Sequence, residues 1–326
     1  MKTIKFGIIG AADIAYRRFL PALTNNGNCE YIGVASKSGK RVLQFKKDFG
    51  GIIYHSYEEL LHDTNIDAVY IPLVPSLHYE WSKKAIEAGK HVFLEKPATI
   101  NAYQTKNLVE YARLKGVAIY ENFAFTLHNQ ILIIKQLLQN KAVGDIRKIY
   151  IKFGYPRRLE ADFRYNRELG GGALLDCGVY TLKLTRFLLG ENCEVTYSKL
   201  YYDEKSNVDL YGSATFQNNK SQIADVSFGI DMEYQCSLEI WGSNGIIRAP
   251  RIFTAPADYY VNLILIRNNV EKIIPAGISN QFYKAIEYFI NCIEDQDKRE
   301  ICLSDMSDQS MLVEKLQKRV YQTKGM

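Results

Sequence analysis

Hydrophobic and polar positions change rhythm once along the chain. In the first third, short apolar strands alternate with stretches of helical period; the strands are "IKFGIIG", "CEYIGVAS", "DAVYIPL", "HVFLEKP" and "VAIYENF". Helices are predicted between and after them, over residues 13–26, 40–50, 76–88 and 101–115. Strands and helices in this order form right-handed βαβ units on a parallel sheet. The pattern therefore predicts an α/β fold whose N-terminal domain is a doubly wound parallel sheet.

From about residue 146 the segments are strand-like, rich in Tyr, Ile, Val and Phe, with turn residues between them. They are "IRKIYIKFGYP", "CEVTYSKLYYD", "LYGSATFQN", "SQIADVSFGI", "YQCSLEIWGSNGIIRAP" and "NLILIRN". In this part, helices are predicted only over residues 173–189 and from about residue 279 onward. The second domain is therefore expected to be α+β, on a large and mostly antiparallel sheet.

Two domains follow from these rhythms. Residues 1–124 are predicted to bind a dinucleotide, and residues 125–326 to bind substrate and to mediate oligomerisation. The C-terminal helix has the further option of packing back on the first domain. Few helices are predicted to cover the second sheet, so one apolar face is expected to be exposed, which favours self-association.

Composition narrows the function classes. The 326 residues are 47% hydrophobic, and the formal charge of +5 is spread without a dense basic run, so nucleic acid is not an expected partner. No run of 18 apolar residues predicts a membrane span, and the N-terminus enters a strand without a signal-peptide pattern. Six cysteines without a CxxC and five dispersed histidines predict reduced thiols in a cytoplasmic protein that binds no metal.

The first strand ends in "GIIGAADIA", which places small residues at the three glycine positions of a dinucleotide-binding turn. Gly10, Ala12 and Ala15 occupy these positions. A Rossmann-type cofactor site is therefore predicted, with Gly10, Ala12, Asp13 and Ile14 as cofactor-binding residues. Tyr16 and Arg17, just beyond the turn, either contact phosphates or are ordinary helix side chains; the pattern does not separate the two.

The second strand ends in "GVASKSGKR", where an NAD site would place an acid on the ribose 2′-hydroxyl. Ser36, Lys37 and Arg41 instead supply a hydroxyl and two cations. The cofactor is therefore predicted to be NADP(H) in preference to NAD(H), although NAD(H) remains possible. A solvated turn with ordinary surface charge is the alternative.

Further candidates stand near the ends of later strands, where ligands bind in open α/β sheets. Predicted cofactor-binding residues are Pro72, Leu73, His78, Glu95, Lys96 and, before the glycine run of the second domain, Arg164. The alternatives are an ordinary helix-start histidine for His78 and a surface ion pair for Arg164. Pro97 fixes the chain directly after Lys96. Asn122 ends the fifth predicted strand, where its amide would meet the substrate.

The stretch "GGGALLDCGVY" joins Gly170, Gly171 and Gly172 to a short helix carrying Asp176 and Tyr180. Residues four apart share a helix face, so the carboxylate and the phenol are predicted to point to one place. The alternative is a glycine loop followed by a core helix with a buried tyrosine.

The stretches "GIIGAADIA", "LEKPAT" and "GGGALLDCGVY", in this order, resemble those of the Gfo/Idh/MocA oxidoreductases. Many members have histidine at the position of Tyr180; tyrosine is typical of the subgroup of glucose–fructose oxidoreductase and dimeric dihydrodiol dehydrogenase. Longer stretches, among them "ADIAYRRFLPAL" and "FGIDMEYQCSLEIWGSNGIIRAPRIFTAPADY", are similar to the NDP-hexose 3-ketoreductases of deoxysugar pathways. Ala12 departs from the glycine that most members have.

The resemblance implies reduction of a keto group on a nucleotide-linked sugar with NADPH. Lys96, Asp176 and Tyr180 would be catalytic across an interdomain cleft, and these three with Asn122 would bind the substrate. The glycine run would let the backbone approach the nicotinamide. The alkoxide formed by hydride transfer needs a proton, and a nearby ammonium lowers the tyrosine pKa from about 10, which makes Tyr180 a better donor. Asp176 would either accept a substrate hydroxyl or hold Lys96.

Two other functions are compatible with the same fold. One is an enzyme with tightly bound NAD(P) that acts on another sugar or diol, as a dehydrogenase or as a glycosidase that oxidises its sugar transiently. Another is a non-catalytic sensor of sugar nucleotides. Related enzymes pair through the second sheet, so a homodimer or homotetramer is expected.

Overall fold

The computed structural model describes residues 2–323. The chain divides into two compact units. The first unit comprises Met1–Asn122 with Phe282–Ser310, and the second comprises Phe123–Gln281 with the chain from Met311 onward. The first unit thus takes in two segments of the chain.

The first unit is built on a parallel sheet. Its strands are β1 (Ile4–Ile9), β2 (Cys29–Ala35), β3 (Ile52–Tyr54), β4 (Ala68–Ile71), β5 (His91–Glu95) and β6 (Ile119–Asn122). They pair in the order β3-β2-β1-β4-β5-β6, each parallel to its neighbour. The predicted doubly wound sheet is confirmed, and its order reverses between β1 and β4, where such folds bind ligands.

Helices connect these strands. A π-helical turn (Ala15–Phe19) runs into α1 (Leu20–Thr24), and α2 (Gly39–Phe49), α3 (Tyr57–His62), α4 (Pro75–Glu87) and α5 (Ala102–Lys115) follow. From the C-terminal part come α8 (Gln281–Glu294) and α9 (Gln296–Thr323). The sequence pattern did not predict β3 and α3, because elements of three and six residues are too short to show a period.

Aromatic side chains form the centre of the first unit. Phe19 stacks on Tyr70 with ring centroids 3.9 Å apart, and Phe93 lies edge-on to both. Phe289 of α8 packs on Phe6 and Phe93. This cluster fixes Tyr70 on β4, and the hydroxyl of Tyr70 reaches the candidate site described below.

The second unit begins with α6 (Asn129–Gln139) and a large sheet. Its strands are β7 (Ile146–Gly154), β8 (Glu194–Tyr202), β9 (Asp209–Gln217), β10 (Ile223–Gly229), β11 (Gln235–Gly242), β12 (Ile246–Ala249), β13 (Val261–Arg267) and β14 (Val270–Gly277). The order is β14-β13-β12-β11-β7-β10-β9-β8, with β7 and β10 parallel and the other neighbours antiparallel. The predicted α+β domain with a mostly antiparallel sheet is confirmed.

The sequence pattern did not predict α6 or β14, and two predicted elements of this unit differ in detail. The segment "YQCSLEIWGSNGIIRAP" is not one strand but the hairpin of β11 and β12, because its Gly-containing turn folds back: Gly242 N donates to Gly245 O at 2.9 Å. The predicted helix over residues 173–189 is also not uniform. It begins as a π-helical turn (Leu174–Gly178) and continues as α7 (Val179–Leu189).

The two faces of the second sheet differ. One face packs its apolar side chains against α7 and the preceding π-helical turn. On the opposite face, which we call the far face, Tyr150 of β7, Ile264 of β13 and Ile273 of β14 lie in one register row, joined through Glu239 of β11 and Arg248 of β12. Trp241 lies on the same face, two residues further along β11. Trp241 is 52% exposed and Ile273 is 64% exposed. The far face also carries the ion pairs Lys148–Asp225 and Arg248–Glu239, each at 2.6 Å.

Candidate active site

The turn after β1 is tightly built around Gly10. Its φ of +105° lies in the region that favours glycine, and a Cβ there would lie 2.6 Å from Leu73 Cδ2. Gly10 N donates to Ala35 O at 2.8 Å, which ties the turn to the end of β2. Ala12 N donates to Gly10 O at 2.9 Å, and Asp13 and Ile14 open the helix. The buried Ala15 takes the position where helix and strand meet. The loop has the shape that a bound pyrophosphate requires.

A cation lies against this turn. Arg41 of α2 donates from Nη1 to Ala11 O at 3.3 Å. Ser36, whose Oγ accepts from Ser38 N at 3.2 Å, and Lys37 lie in the same connection between β2 and α2. The residues predicted to select the cofactor therefore gather at the carboxyl end of β2, beside the nucleotide loop.

Tyr16 and Arg17 have partners within the first unit. The Tyr16 hydroxyl donates to Asp48 Oδ2 at 2.5 Å, and its ring packs between Phe45 and Phe49 of α2. Arg17 Nη1 lies 3.2 Å from Asp13 Oδ2, in an exposed ion pair. For Tyr16 the structure favours the role of an ordinary helix side chain.

At the end of β5, Lys96 follows a hydrogen-bonded acid. Glu95 Oε1 accepts from the Tyr70 hydroxyl at 2.7 Å and from Asn122 Nδ2 at 2.8 Å. Burial raises the pKa of Glu95, while these two hydrogen bonds oppose that rise. Asn122 thus uses its amide nitrogen inside the fold, and its buried Oδ1 has no hydrogen-bond partner among the described residues. An unsatisfied buried acceptor is a place where a ligand donor fits.

The turn after Lys96 is held by two buried side chains. Glu121 accepts from Ala98 N at 2.7 Å, and the Lys96–Pro97 peptide bond is cis. His78 lies 2.8 Å from Pro97 O through Nδ1 and 2.9 Å from Leu73 O through Nε2. Burial lowers the pKa of His78 to about 4, while the two carbonyl contacts oppose that fall.

This geometry changes the role expected of His78. The side chain is fully buried and both ring nitrogens meet backbone carbonyls, so it presents neither nitrogen to a cofactor. It instead joins the Pro72–Leu73 segment to the turn that carries Lys96.

In the second unit, packing within the chain explains the glycine run. A Cβ at Gly171 would lie 2.5 Å from Arg164 O and 2.7 Å from Asn166 O. Gly172 has a φ of +114°, and a Cβ there would collide with the carboxylate of Asp209. Approach of these glycines, with Gly170, to a nicotinamide stays a prediction.

Asp176 lies within a buried ionic network. Its Oδ2 accepts from the Tyr155 hydroxyl and lies 2.9 Å from Arg164 Nε. Arg164 also pairs with Asp162 at 3.1 Å. Burial and the Asp176 charge raise the pKa of Tyr155. The structure therefore brings Arg164 to Asp176, and contact of Arg164 with a cofactor stays a prediction.

Tyr180, on the first turn of α7, stands in an aromatic surround. Phe123, Phe125, Phe153 and Phe253 have ring centroids between 5.2 and 5.8 Å from that of Tyr180. Asp176 lies in the π-helical turn directly before α7, and such turns are frequent at functional sites. This packing holds the Tyr180 ring in one orientation. The tyrosine can therefore be part of the core through its ring and still have a chemical role through its hydroxyl.

Among the polar residues of these networks that sequence reasoning missed are Tyr155, Glu121 and Asp209. Each stands at the end or the start of a predicted strand, and Tyr155 directly precedes a proline. The available signal was a polar residue near a strand end. The partners of these three residues are distant in sequence, so the pattern could not show what they contact.

Among residues 2–323, no helix has the length and apolar character to cross a membrane. Within the same range, no three His, Cys, Asp or Glu side chains are grouped so that they could hold a metal ion.

Comparison with known proteins gives the family. The sequence model of the Gfo/Idh/MocA oxidoreductase family, with its NAD-binding Rossmann fold, matches residues 4–123. The model of the C-terminal domain of the same family matches residues 131–248. The chain belongs to the Gfo/Idh/MocA oxidoreductase family. The resemblance inferred from the sequence is thereby confirmed.

Members of this family similar to the chain include sugar reductases and a diol dehydrogenase. A dTDP-3,4-didehydro-2,6-dideoxy-alpha-D-glucose 3-reductase of Saccharopolyspora spinosa is 37% identical over 289 residues, covering 88% of this chain and 87% of that protein. A trans-1,2-dihydrobenzene-1,2-diol dehydrogenase of Xenopus tropicalis is 30% identical, with 79% and 78% covered.

Among solved structures, a 3-ketoreductase from Actinomadura kijaniata in complex with NADP and TDP-benzene is 33% identical with a TM-score of 0.94. The match covers 97% of this chain and 98% of that one. An aldose-aldose oxidoreductase from Caulobacter crescentus, at 18% identity and a TM-score of 0.90, shares the fold.

The glycine run of this family member gives a stability prediction. Gly172→Ala combines a left-handed backbone with a collision at Asp209, so we expect a loss of about 2–4 kcal/mol in the free energy of unfolding. Gly190→Ala, at a φ of +89° with no atom near its added methyl group, serves as the control for backbone strain alone. Thermal and urea unfolding measure both. A Gly172→Ala protein as stable as Gly190→Ala would show that the collision has no cost.

Proposed function

We propose that this protein reduces a keto group on a nucleotide-linked sugar with NADPH, most directly the 3-keto group of a deoxysugar. The observation that carries the proposal is its likeness, over 97% of the chain, to a 3-ketoreductase solved with NADP and TDP-benzene. The fit of the residues supports it: a glycine turn without room for a Cβ, and a guanidinium against that turn. We place the enzyme in the cytoplasm, since its six cysteines are free thiols.

Bound NADPH would supply the hydride that reduces the carbonyl carbon. The protein must then protonate the alkoxide, and we assign that proton to the Tyr180 hydroxyl. The Lys96 ammonium would favour the phenolate and stabilise the developing oxyanion. Both groups are proposed to act on the same carbonyl oxygen.

Asp176 is assigned to the substrate. Arg164 already balances its charge, and the Tyr155 hydroxyl already holds Oδ2, so the carboxylate has a fixed orientation. We propose that it accepts a hydroxyl of the sugar rather than holding Lys96. Asn122, with its unsatisfied buried Oδ1, is proposed to accept a further donor of substrate or cofactor.

The activity itself is tested by a substrate panel. Purified protein is mixed with NADPH and either keto-sugar nucleotides or free keto-sugars. In a separate assay it is mixed with NADP⁺ and trans-dihydrodiols. We expect NADPH oxidation with a nucleotide-linked keto-sugar. Turnover confined to free sugars or to diols would overturn the substrate class and leave the family assignment intact.

Cofactor preference is tested at Arg41. We expect tighter binding of NADPH than of NADH, and a rise in the NADPH Kd of about tenfold or more in Arg41→Ala, with the NADH Kd nearly unchanged. Lys47→Ala removes an exposed cation from the far end of the same helix and is the matched control. Fluorescence titration measures all three proteins. Wild-type protein that binds NADH as tightly as NADPH contradicts the assignment.

Tyr180 and Lys96 are tested as a pair. We expect Tyr180→Phe to lower kcat by about 10²–10⁴-fold with NADPH affinity retained, and Lys96→Met to lower it at least as much. The double variant should lose far less than the product of the single losses, because the two groups act as one unit. Tyr197→Phe, at an exposed tyrosine of β8, is the control. Turnover of Tyr180→Phe within about threefold of wild type would end the proton-donor assignment.

We also propose a homodimer or homotetramer formed through the far face. Its exposed Trp241 and Ile273 support association, while its ion pairs make it less apolar than the sequence suggested. Light scattering at micromolar concentration should give a multiple of 37.3 kDa. Trp241→Glu should shift the protein toward the monomer, and Leu132→Glu, on α6, should not. A wild-type monomer contradicts the proposal.

A further inference from the structure

A buried acid lies at the start of the helix that carries Asp176 and Tyr180. Asp209, the first residue of β9, is 8% exposed. Its Oδ2 accepts a hydrogen bond from Leu174 N at 2.6 Å. Leu174 opens the π-helical turn, and the first N–H groups of a helix have no acceptor within the helix. A strand residue 35 positions away thus supplies the acceptor that this helix start lacks.

The same carboxylate also limits Gly172. A Cβ on that residue would collide with Asp209 Oδ1, so the backbone passes directly against the acid. Gly172 O in turn accepts from Asp176 N at 3.1 Å. The Asp209 side chain therefore contacts both Gly172 and Leu174. The backbone N–H of Asp176 is hydrogen-bonded to Gly172, so Asp209 also influences the position of Asp176.

An acid is a costly choice for this position. Burial raises the pKa of Asp209 to about 7, although the Leu174 amide opposes that rise. Asparagine caps helices about as well as aspartate and carries no charge to bury. What the helix start requires of Asp209 is therefore a side-chain oxygen that accepts from Leu174 N, not its charge.

We propose that Asp209 is a positioning residue for the reduction: its carboxyl group fixes the start of the π-helical turn and so holds Asp176 and Tyr180 in their working orientation. The inference rests on the proposed role of Tyr180 as proton donor. Asp209 itself would contact neither substrate nor cofactor.

The test compares substitutions at Asp209. We expect Asp209→Ala to lower kcat by about 10–100-fold, since small displacements of a reacting group are costly, with the NADPH Kd unchanged. Asp209→Asn keeps an oxygen that can accept from Leu174 N and should recover kcat to within about threefold of wild type. Asp203→Ala is the matched control: Asp203 accepts from Ser206 N at 2.8 Å in the connection before β9, so its loss should cost stability without affecting kcat.

A purely structural role predicts a different result. Asp209→Ala would then melt at a lower temperature while its kcat, measured below the melting transition, stays within about threefold of wild type. That outcome overturns the proposal. If Asp209→Ala does not fold, Asp209→Ser replaces it in the comparison with wild type. The serine hydroxyl is one bond shorter than the carboxylate, so it does not reach Leu174 N.

Coupling to Tyr180 separates this inference from the proposed function. In a Tyr180→Phe background, Asp209→Ala should lower kcat by clearly less than it does in the wild-type enzyme, because the part of its effect that acts through the Tyr180 hydroxyl is already lost. Full multiplication of the two losses overturns the positioning role. A Tyr180→Phe enzyme that is nearly as active as wild type overturns the proton-donor assignment instead. The positioning role of Asp209 toward Tyr180 is then overturned with it.

Discussion

The parallel register of the first sheet is the constraint on which the cofactor half of the candidate site depends. Because neighbouring strands run the same way, their carboxyl ends meet at one edge, and the residues that follow them are brought together. Gly10, Ser36, Leu73, Lys96 and Asn122 follow or end β1, β2, β4, β5 and β6 in this way. Reversal of any one of these strands would remove its residue from the edge.

Hydrogen bonds then fix what the register brings together. His78 joins two of the strand-end segments, Glu121 holds the turn after Lys96, and Glu95 ties Tyr70 to Asn122. In the second unit, the orientation of Asp176 depends on the hydroxyl of Tyr155, which follows β7, and on a buried ion pair with Arg164. Breaking a buried pair by removing one partner is costly because it leaves the other charge uncompensated. In both units, hydrogen bonds and ion pairs therefore orient the side chains of the candidate site, and apolar packing stabilises the elements that carry them.

The sequence could predict what depends on local pattern. Alternating strands and helices placed Lys96 at a strand end, and the spacing of Asp176 and Tyr180 placed them on one helix. It could not predict contacts between distant segments: Asp176 meets Tyr155 from 21 residues away, and Leu174 meets Asp209 from 35. It also could not reveal that a wider turn precedes α7, since no period distinguishes one π-helical turn from the helix that continues it. Burial of both His78 nitrogens likewise depends on two turns that only the fold brings near.

The far face of the second sheet has a thermodynamic consequence. Its charges are already paired within the chain, Lys148 with Asp225 and Arg248 with Glu239, so they present little net field to an approaching surface. Association through this face would gain little from long-range steering, and its rate would depend weakly on ionic strength. Burial of Trp241 and Ile273 would instead appear as a negative heat-capacity change. Assembly through this face would accordingly weaken on cooling, as apolar contacts do, rather than on addition of salt.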